Sequence, residues 1–146
     1  LLGGGDPGGL QLDGLGGGLS STSKVAVMGR EADGSARYTF VQVGVRAAAV
    51  DWSASCGNLA AAAGIFARDE LLGPAALRPS GFSPRHAVVP LWQANAGHRM
   101  LVHVPRSDAA VPAAEWAAIA GVPGRAPPIL VELLRPCAGQ PRPLLP

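Results

Sequence analysis

This chain of 146 residues has little charge, few aromatics, two cysteines and a single lysine. Charged residues make up 15%, against about 25% in ordinary domains. Charge-driven disorder needs low hydrophobicity and high net charge. A chain that is 48% apolar with a net charge of +2 falls outside that class. The cations are scattered, with no basic run and no basic helix face, which excludes the clustered footprint that nucleic acid requires. No apolar run reaches the ~18 residues of a membrane-spanning helix, so no membrane partner is expected. The opening LLGGGDPGG has neither the basic start nor the apolar core of a signal peptide. Cys56 and Cys137 are too few for the disulfide ladder of a small secreted domain, and two reduced thiols in a cytoplasmic protein are expected. With no CxxC and no paired histidine spacing, no metal is expected, and His86, His98 and His103 read as isolated surface or loop residues.

What is abundant is small. Ala alone contributes 26 residues, and Gly 20 with Pro 14 contribute 34 more, while aromatics are 5%. Apolar burial stabilises by roughly 25 cal/mol per Å², so a core of small side chains is thin. The length suits one domain on a prior of about 100–200 residues. The chain starts without Met in a Gly/Pro segment, and the expectation is part of a longer protein.

The pattern along the chain is α+β. Lys24–Met28 reads as a strand, and Arg30–Ser35 with its Asp-Gly as a hairpin turn. Residues 37–45, rich in β-branched and aromatic types, read as a second strand, continued by extended Ala47–Trp52. Leu59, Ala62, Ala63, Phe66 and Ala67 fall on one helical stripe, predicting a principal helix over Leu59–Glu70. Gly73–Pro84 reads as a loop. Val88–Ala94 and Met100–Val104 are strands joined by a turn at Asn95–His98. Val111–Ala120 is expected as a short helix, 121–128 as a rigid turn, Ile129–Leu134 as a last strand, and Pro136–Pro146 as an extended tail.

Three features could carry chemistry. Cys56-Gly57-Asn58 stands at the predicted helix start, where backbone N–H groups lack internal partners and the macrodipole is positive. Such a place favours thiolates and binds carboxylates, with Gly57 allowing close approach and Asn58 adding a donor. On these residues alone, Cys56 reads equally as a buried structural thiol. The run Gly17-Gly18-Leu19-Ser20-Ser21-Thr22-Ser23 gathers N–H and O–H donors that can form an anion nest, or simply a solvent loop. It is neither a P-loop nor a dinucleotide fingerprint. Lys24 is the lone lysine beside eleven arginines. Arg cannot give up its proton, whereas Lys can act as a base, although chance also produces a lone Lys. Together these features describe a carboxylate pocket with two proton-moving groups, Lys24 and Cys56, and no cofactor.

The residues Leu12–Val27 resemble the "DGLGG-x-SSTSKVAVV" segment of the PrpF family. Tyr38-Thr39-Phe40-Val41-Gln42-Val43 resembles its "Y-x-F-x-QV" strand, Val50–Asn58 its "VD-x-S-x-NCGN" segment, and Gly121–Leu130 its "GVPGTGAPI" segment, all in family order. The family contains 2-methylaconitate cis-trans isomerase, methylitaconate isomerase and 4-oxalomesaconate tautomerase. The resemblance implies a diaminopimelate-epimerase-like fold of two similar domains, each a curved mixed sheet around a central helix, with the site between them. It implies cofactor-independent transfer of an allylic proton in an unsaturated di- or tricarboxylate, with Lys24 and Cys56 as acid and base. Gly17, Gly18, Ser20, Ser21, Thr22, Ser23, Gly57, Asn58 and Asn95 would contact the substrate. Ser55 replaces the family's Asn before Cys, and Gln93-Ala94-Asn95-Ala96-Gly97 replaces its "NTNTG". The family's N-terminal segment and second domain have no counterpart, so residues 1–146 are expected to be an incomplete first domain. The other wall would come from a second domain or another copy of the chain. Two alternatives accompany the isomerase reading: a non-catalytic remnant binding a carboxylate or a partner, and a racemase or epimerase of the same fold.

Overall fold

A computed structural model describes residues 1–107 and 109–134. The strands are β1 (Lys24–Arg30), β2 (Ala36–Val43), β3 (Val50–Asp51), β4 (Arg78–Pro79), β5 (His86–Gln93), β6 (His98–Pro105) and β7 (Leu130–Leu134), with one helix, α1 (Gly57–Phe66). They form one sheet in the order β1-β2-β5-β6-β7, with β3 on β2 and β4 on β5. Only β2 and β5 run parallel, so the sheet is mixed. The α1 helix touches all five main strands. Five strands spaced ~4.8 Å apart span roughly 19 Å, nearly twice the ~10 Å width of a helix. A helix in contact with both outermost strands therefore requires a sheet that curves around it.

Residues alternate faces along each strand. Ala36, Tyr38 and Phe40 of β2, Val89 and Leu91 of β5, and Met100, Val102 and Val104 of β6 form the core with Ala60, Ala63 and Ala67. The buried helix face is Ala60, Ala63, Gly64 and Ala67, rotated from the expected stripe. Phe66 is 47% exposed and Leu59 is only partly buried. Close approach explains the rotation, because a Cβ at Gly64 would sit 2.5 Å from Val102 Cγ1 and 2.8 Å from Val102 Cβ. The smallest residues face the sheet, and the large ones are displaced to the flanks. Gly64→Ala should therefore lower the melting temperature. Helix propensity gains about 1 kcal/mol, but overpacking costs about 1–3 kcal/mol. A raised melting temperature would mean that the helix has room to retreat.

Several sequence expectations are corrected. The helix starts two residues before Leu59 and ends at Phe66, with Ala67–Leu71 forming a π-helical turn. The second strand ends at Val43, and 45–48 bends instead of extending, because Gly5 and Asp6 donate N–H groups to the Gly44 and Val45 carbonyls. The loop after Gly73 contains β4. In place of a helix, residues 111–120 hold a 3-10 turn at Ala113–Glu115 and one side of an isolated bridge from Ala117 to Ala126. This alanine run lacks the large apolar stripe through which tertiary packing stabilises short helices. Two histidines are not superficial: His86 and His103 are buried on β5 and β6. The expected tail Pro136–Pro146, with Cys137, lies outside the described residues.

Candidate active site

Strand periodicity places Lys24 on the same face as Ala26 and Met28, which pack against the core, at the end of β1. Cys56 is the N-cap of α1. The two elements converge so that Lys24 Nζ lies 3.8 Å from Cys56 Sγ and donates toward it. The same ammonium stands 6.0 Å from the centroid of the Phe40 ring. The thiol does not cap the helix, so the first N–H groups, at Gly57, Asn58 and Leu59, have no intrahelical acceptor. Gly57 and Asn58 are exposed.

The pair is held by residues that sequence reasoning passed over. Tyr38 is fully buried, and its hydroxyl donates to the Cys56 carbonyl at 3.2 Å. That carbonyl also accepts the Ala60 N–H at 2.9 Å. Tyr38 thus fastens the helix start to the strand whose Phe40 supports Lys24. Burial first, then negative charge at Cys56, push the Tyr38 hydroxyl up to about 12. An unfolded tyrosine releases its proton near pH ~10. Stability contributed by Tyr38 is therefore complete below about pH 10 and falls as pH rises toward 12, by about 2–3 kcal/mol at most. Tyr38 is the only tyrosine, so tyrosinate absorbance reports it alone. Ionisation near pH 10 in the folded protein would contradict this burial.

The donor loop is tied down. Gly17 N–H donates to the Thr22 carbonyl at 3.1 Å, and a Cβ on Gly17 would meet Thr22 Oγ1 at 2.5 Å. Ser20–Thr22 is a 3-10 turn, and the Thr22 hydroxyl donates to the Leu19 carbonyl. Ser23 is buried and its hydroxyl donates to Gln11 Oε1 at 3.4 Å. Gln11 Nε2 in turn donates to the Gly17 carbonyl at 2.6 Å. Gln42 Nε2 donates to the Ser20 and Ser23 carbonyls at 3.2 and 2.9 Å. Gly18, Ser20 and Ser21 are exposed, whereas Thr22 and Ser23 spend their hydroxyls inside the loop. The signal for Gln42 was a polar residue inside the apolar run FVQV beside a hydroxyl-rich loop. Gln11 offered no comparable signal.

Asn95 is occupied by the sheet. Its Oδ1 accepts from the Phe40 N–H at 2.8 Å and Gln93 Nε2 at 2.7 Å. Its Nδ2 donates to the carbonyls of Phe40 at 2.9 Å and Trp52 at 2.7 Å. All four positions of the amide are used. On β2, Tyr38 pairs with Gln93 and Gln42 with Asp51. Asn95 fills the ladder position between them, standing in for a missing backbone neighbour of Phe40. It positions the segment leading to Cys56 instead of offering a free amide.

Lys24 and Cys56 are each half-buried, and Leu19, Val50 and Trp52, in the segments leading to them, are exposed. Among the described residues, no group of three or more His, Cys, Asp or Glu side chains could hold a metal ion, and no helix is long and apolar enough to cross a membrane.

The profile of the PrpF protein family matches residues 1–146. A 2-methyl-aconitate isomerase from Shewanella oneidensis is 39% identical over 142 residues, covering 94% of this chain and 34% of that protein. A 4-oxalomesaconate tautomerase from Pseudomonas putida is 39% identical over 129 residues, covering 87% and 34%. The crystal structure of a methylitaconate-delta-isomerase matches with a TM-score of 0.69 at 31% identity, over 90% of this chain and 33% of that one. The chain spans about a third of the length of these relatives.

Proposed function

We propose, given that this chain belongs to the PrpF family and has its diaminopimelate-epimerase-like fold, that it supplies the proton-transfer wall of an isomerase. The substrate is a small unsaturated di- or tricarboxylate of the 2-methylaconitate type. The observation that carries the reading is the 3.8 Å contact between Lys24 Nζ and Cys56 Sγ at the start of α1.

One of the two groups removes a proton from the allylic carbon, and the other returns one at the far end of the allyl unit. The double bond moves without any change in oxidation state, so the step needs no redox cofactor. Between the transfers the substrate carries an extra negative charge. The N–H groups of Gly57, Asn58 and Leu59 are aimed at that charge, and fixed donors of this kind lower the barrier without reorganising. Gly18 and the exposed hydroxyls of Ser20 and Ser21 hold a second carboxylate, on a loop whose shape Gly17, Thr22 and Ser23 fix. Water must be excluded while the proton is in transit, and this half-buried pair cannot do so alone. The opposing wall comes from a second domain of the family-length protein or from another copy. A reducing, cytoplasmic setting suits a reaction that requires Cys56 as a free thiol.

The open site also favours a second reading, a unit that binds carboxylates without turnover. An ultraviolet assay of double-bond migration with methylaconitate-type acids, run beside thermal-shift titration, separates the two. Turnover supports the isomerase, and a thermal shift without turnover, persisting in a family-length protein that joins this chain to its second domain, supports the binding unit. Full turnover by both Lys24→Ala and Cys56→Ala would remove these residues from the mechanism.

A further inference from the structure

The opposite face of the sheet carries a second chemical cluster. Ser80 Oγ lies 2.6 Å from His103 Nδ1, and His103 Nε2 lies 2.7 Å from Glu132 Oε1. The neighbours settle the proton positions. An ionised carboxylate only accepts, so with Glu132 at Nε2 the neutral imidazole has Nδ1 open to the Ser80 hydroxyl proton, while Ser80 Oγ also accepts the Phe82 N–H at 3.0 Å. Nδ1 is then the acceptor, and Nε2 carries the proton donated to Glu132. His103 is buried, and the Phe82 ring stands edge-on to it with centroids 6.3 Å apart. The Glu132 side chain is 44% exposed.

The cluster adjoins a groove of about 500 Å³ lined by Arg78, Val88, Pro90, Arg99, Leu101 and Leu134, among others. Sheet register explains the juxtaposition. Val88 pairs with Arg78 on one side and His103 on the other, and Leu101 pairs with Pro90 and Glu132. Next to Ser80, the Gly81 N–H has no acceptor among the described residues, and the space a Cβ there would enter is open.

We propose that Ser80, His103 and Glu132 form a nucleophile–base–carboxylate relay for acyl transfer, separate from the Lys24–Cys56 pair. Its substrate class is an ester with a short apolar acyl chain, which the groove floor of Val88, Pro90 and Leu101 seats. Ser80 Oγ adds to the acyl carbon as its proton passes to His103 Nδ1. The ester C–O bond then breaks and the alcohol leaves with that proton. Water cleaves the acyl-serine by the reverse proton path, and Glu132 holds the histidine and offsets its transient charge. The Gly81 N–H, which has no acceptor among the described residues, is the donor available to the developing oxyanion.

The test is reaction of the whole chain with an alkyl fluorophosphonate, followed by peptide mapping and rate measurement. The expected result is a phosphonyl adduct on Ser80, with the P–F bond broken and fluoride released, and no adduct at that peptide in Ser80→Ala. His103→Gln could unfold a buried position, so the deciding variant is Glu132→Gln at a half-exposed one. It should keep its circular dichroism and react at least about tenfold more slowly, since positioned base catalysis contributes ~10²–10⁴-fold. An unmodified Ser80, or an unchanged rate in Glu132→Gln, overturns the proposal. Neither outcome bears on the isomerase reading.

Discussion

Lys24→Ala and Cys56→Ala should each slow double-bond migration about 10²–10⁴-fold, the usual contribution of a positioned acid or base. The substrate's KM should change far less. On the proposed reading the carboxylates are held by backbone N–H groups and the hydroxyl loop, which neither substitution removes, so the loss belongs to the transition state. Lys24 and Cys56 touch each other at 3.8 Å and, in the proposed mechanism, work on one proton inventory. Residues that act as a unit are strongly non-additive, so the double variant should be scarcely slower than the worse single one. Lys24→Arg separates the two possible roles of the lysine. Arg keeps the positive charge beside the sulfur but cannot release a proton. If Lys24 moves protons, the Arg variant is as slow as the Ala variant in the ultraviolet assay. A rate near wild type would mean that Lys24 contributes charge alone.

Local patterns carried the reading of the strands and pointed to Lys24 and Cys56. The alternation in 24–28 and 37–43, the Asp-Gly turn and the lone lysine were all visible from neighbours in sequence. What the sequence could not show was set by contacts between distant residues. The buried stripe of α1 follows from how closely Gly64 approaches Val102, a residue on another element. Asn95 is implied as a substrate contact by the resemblance of 93–97 to the family's "NTNTG" segment, not by its own surroundings. Its actual place, filling the β2 ladder at Phe40, depends on where β3 stops and β5 ends. The buried histidines were missed for a related reason. A polar residue on an otherwise apolar strand looks exposed until its partners are known, and Ser80, Glu132 and the Pro128 carbonyl lie 23 to 42 residues away in the chain.

Tyr38→Ala should cost about 3–5 kcal/mol, the usual range for deleting a buried aromatic. Native domains have only about 5–15 kcal/mol in total. Tyr38 contacts the core from its central strand and also anchors Cys56, so the Ala variant loses stability and site geometry together. Tyr38→Phe divides these effects. It keeps the ring and removes only the donor to the Cys56 carbonyl, a loss of about 0.5–1.5 kcal/mol, because Ala60 N–H still satisfies that oxygen. With the O–H gone, the N-cap is no longer tied to β2, and the thiol is less firmly held near the Lys24 ammonium. Alkylation by iodoacetamide at neutral pH should therefore slow in Tyr38→Phe, read at Cys56 by peptide mapping because the chain also contains Cys137. Val89→Ala, a core change on β5 outside the Leu91–Gln93 segment that pairs with β2, should destabilise the fold by more and leave the alkylation rate near wild type. Equal slowing in both variants would reduce Tyr38 to a packing residue. Slowing confined to Tyr38→Phe identifies its hydroxyl as the group that sets the position of the thiol.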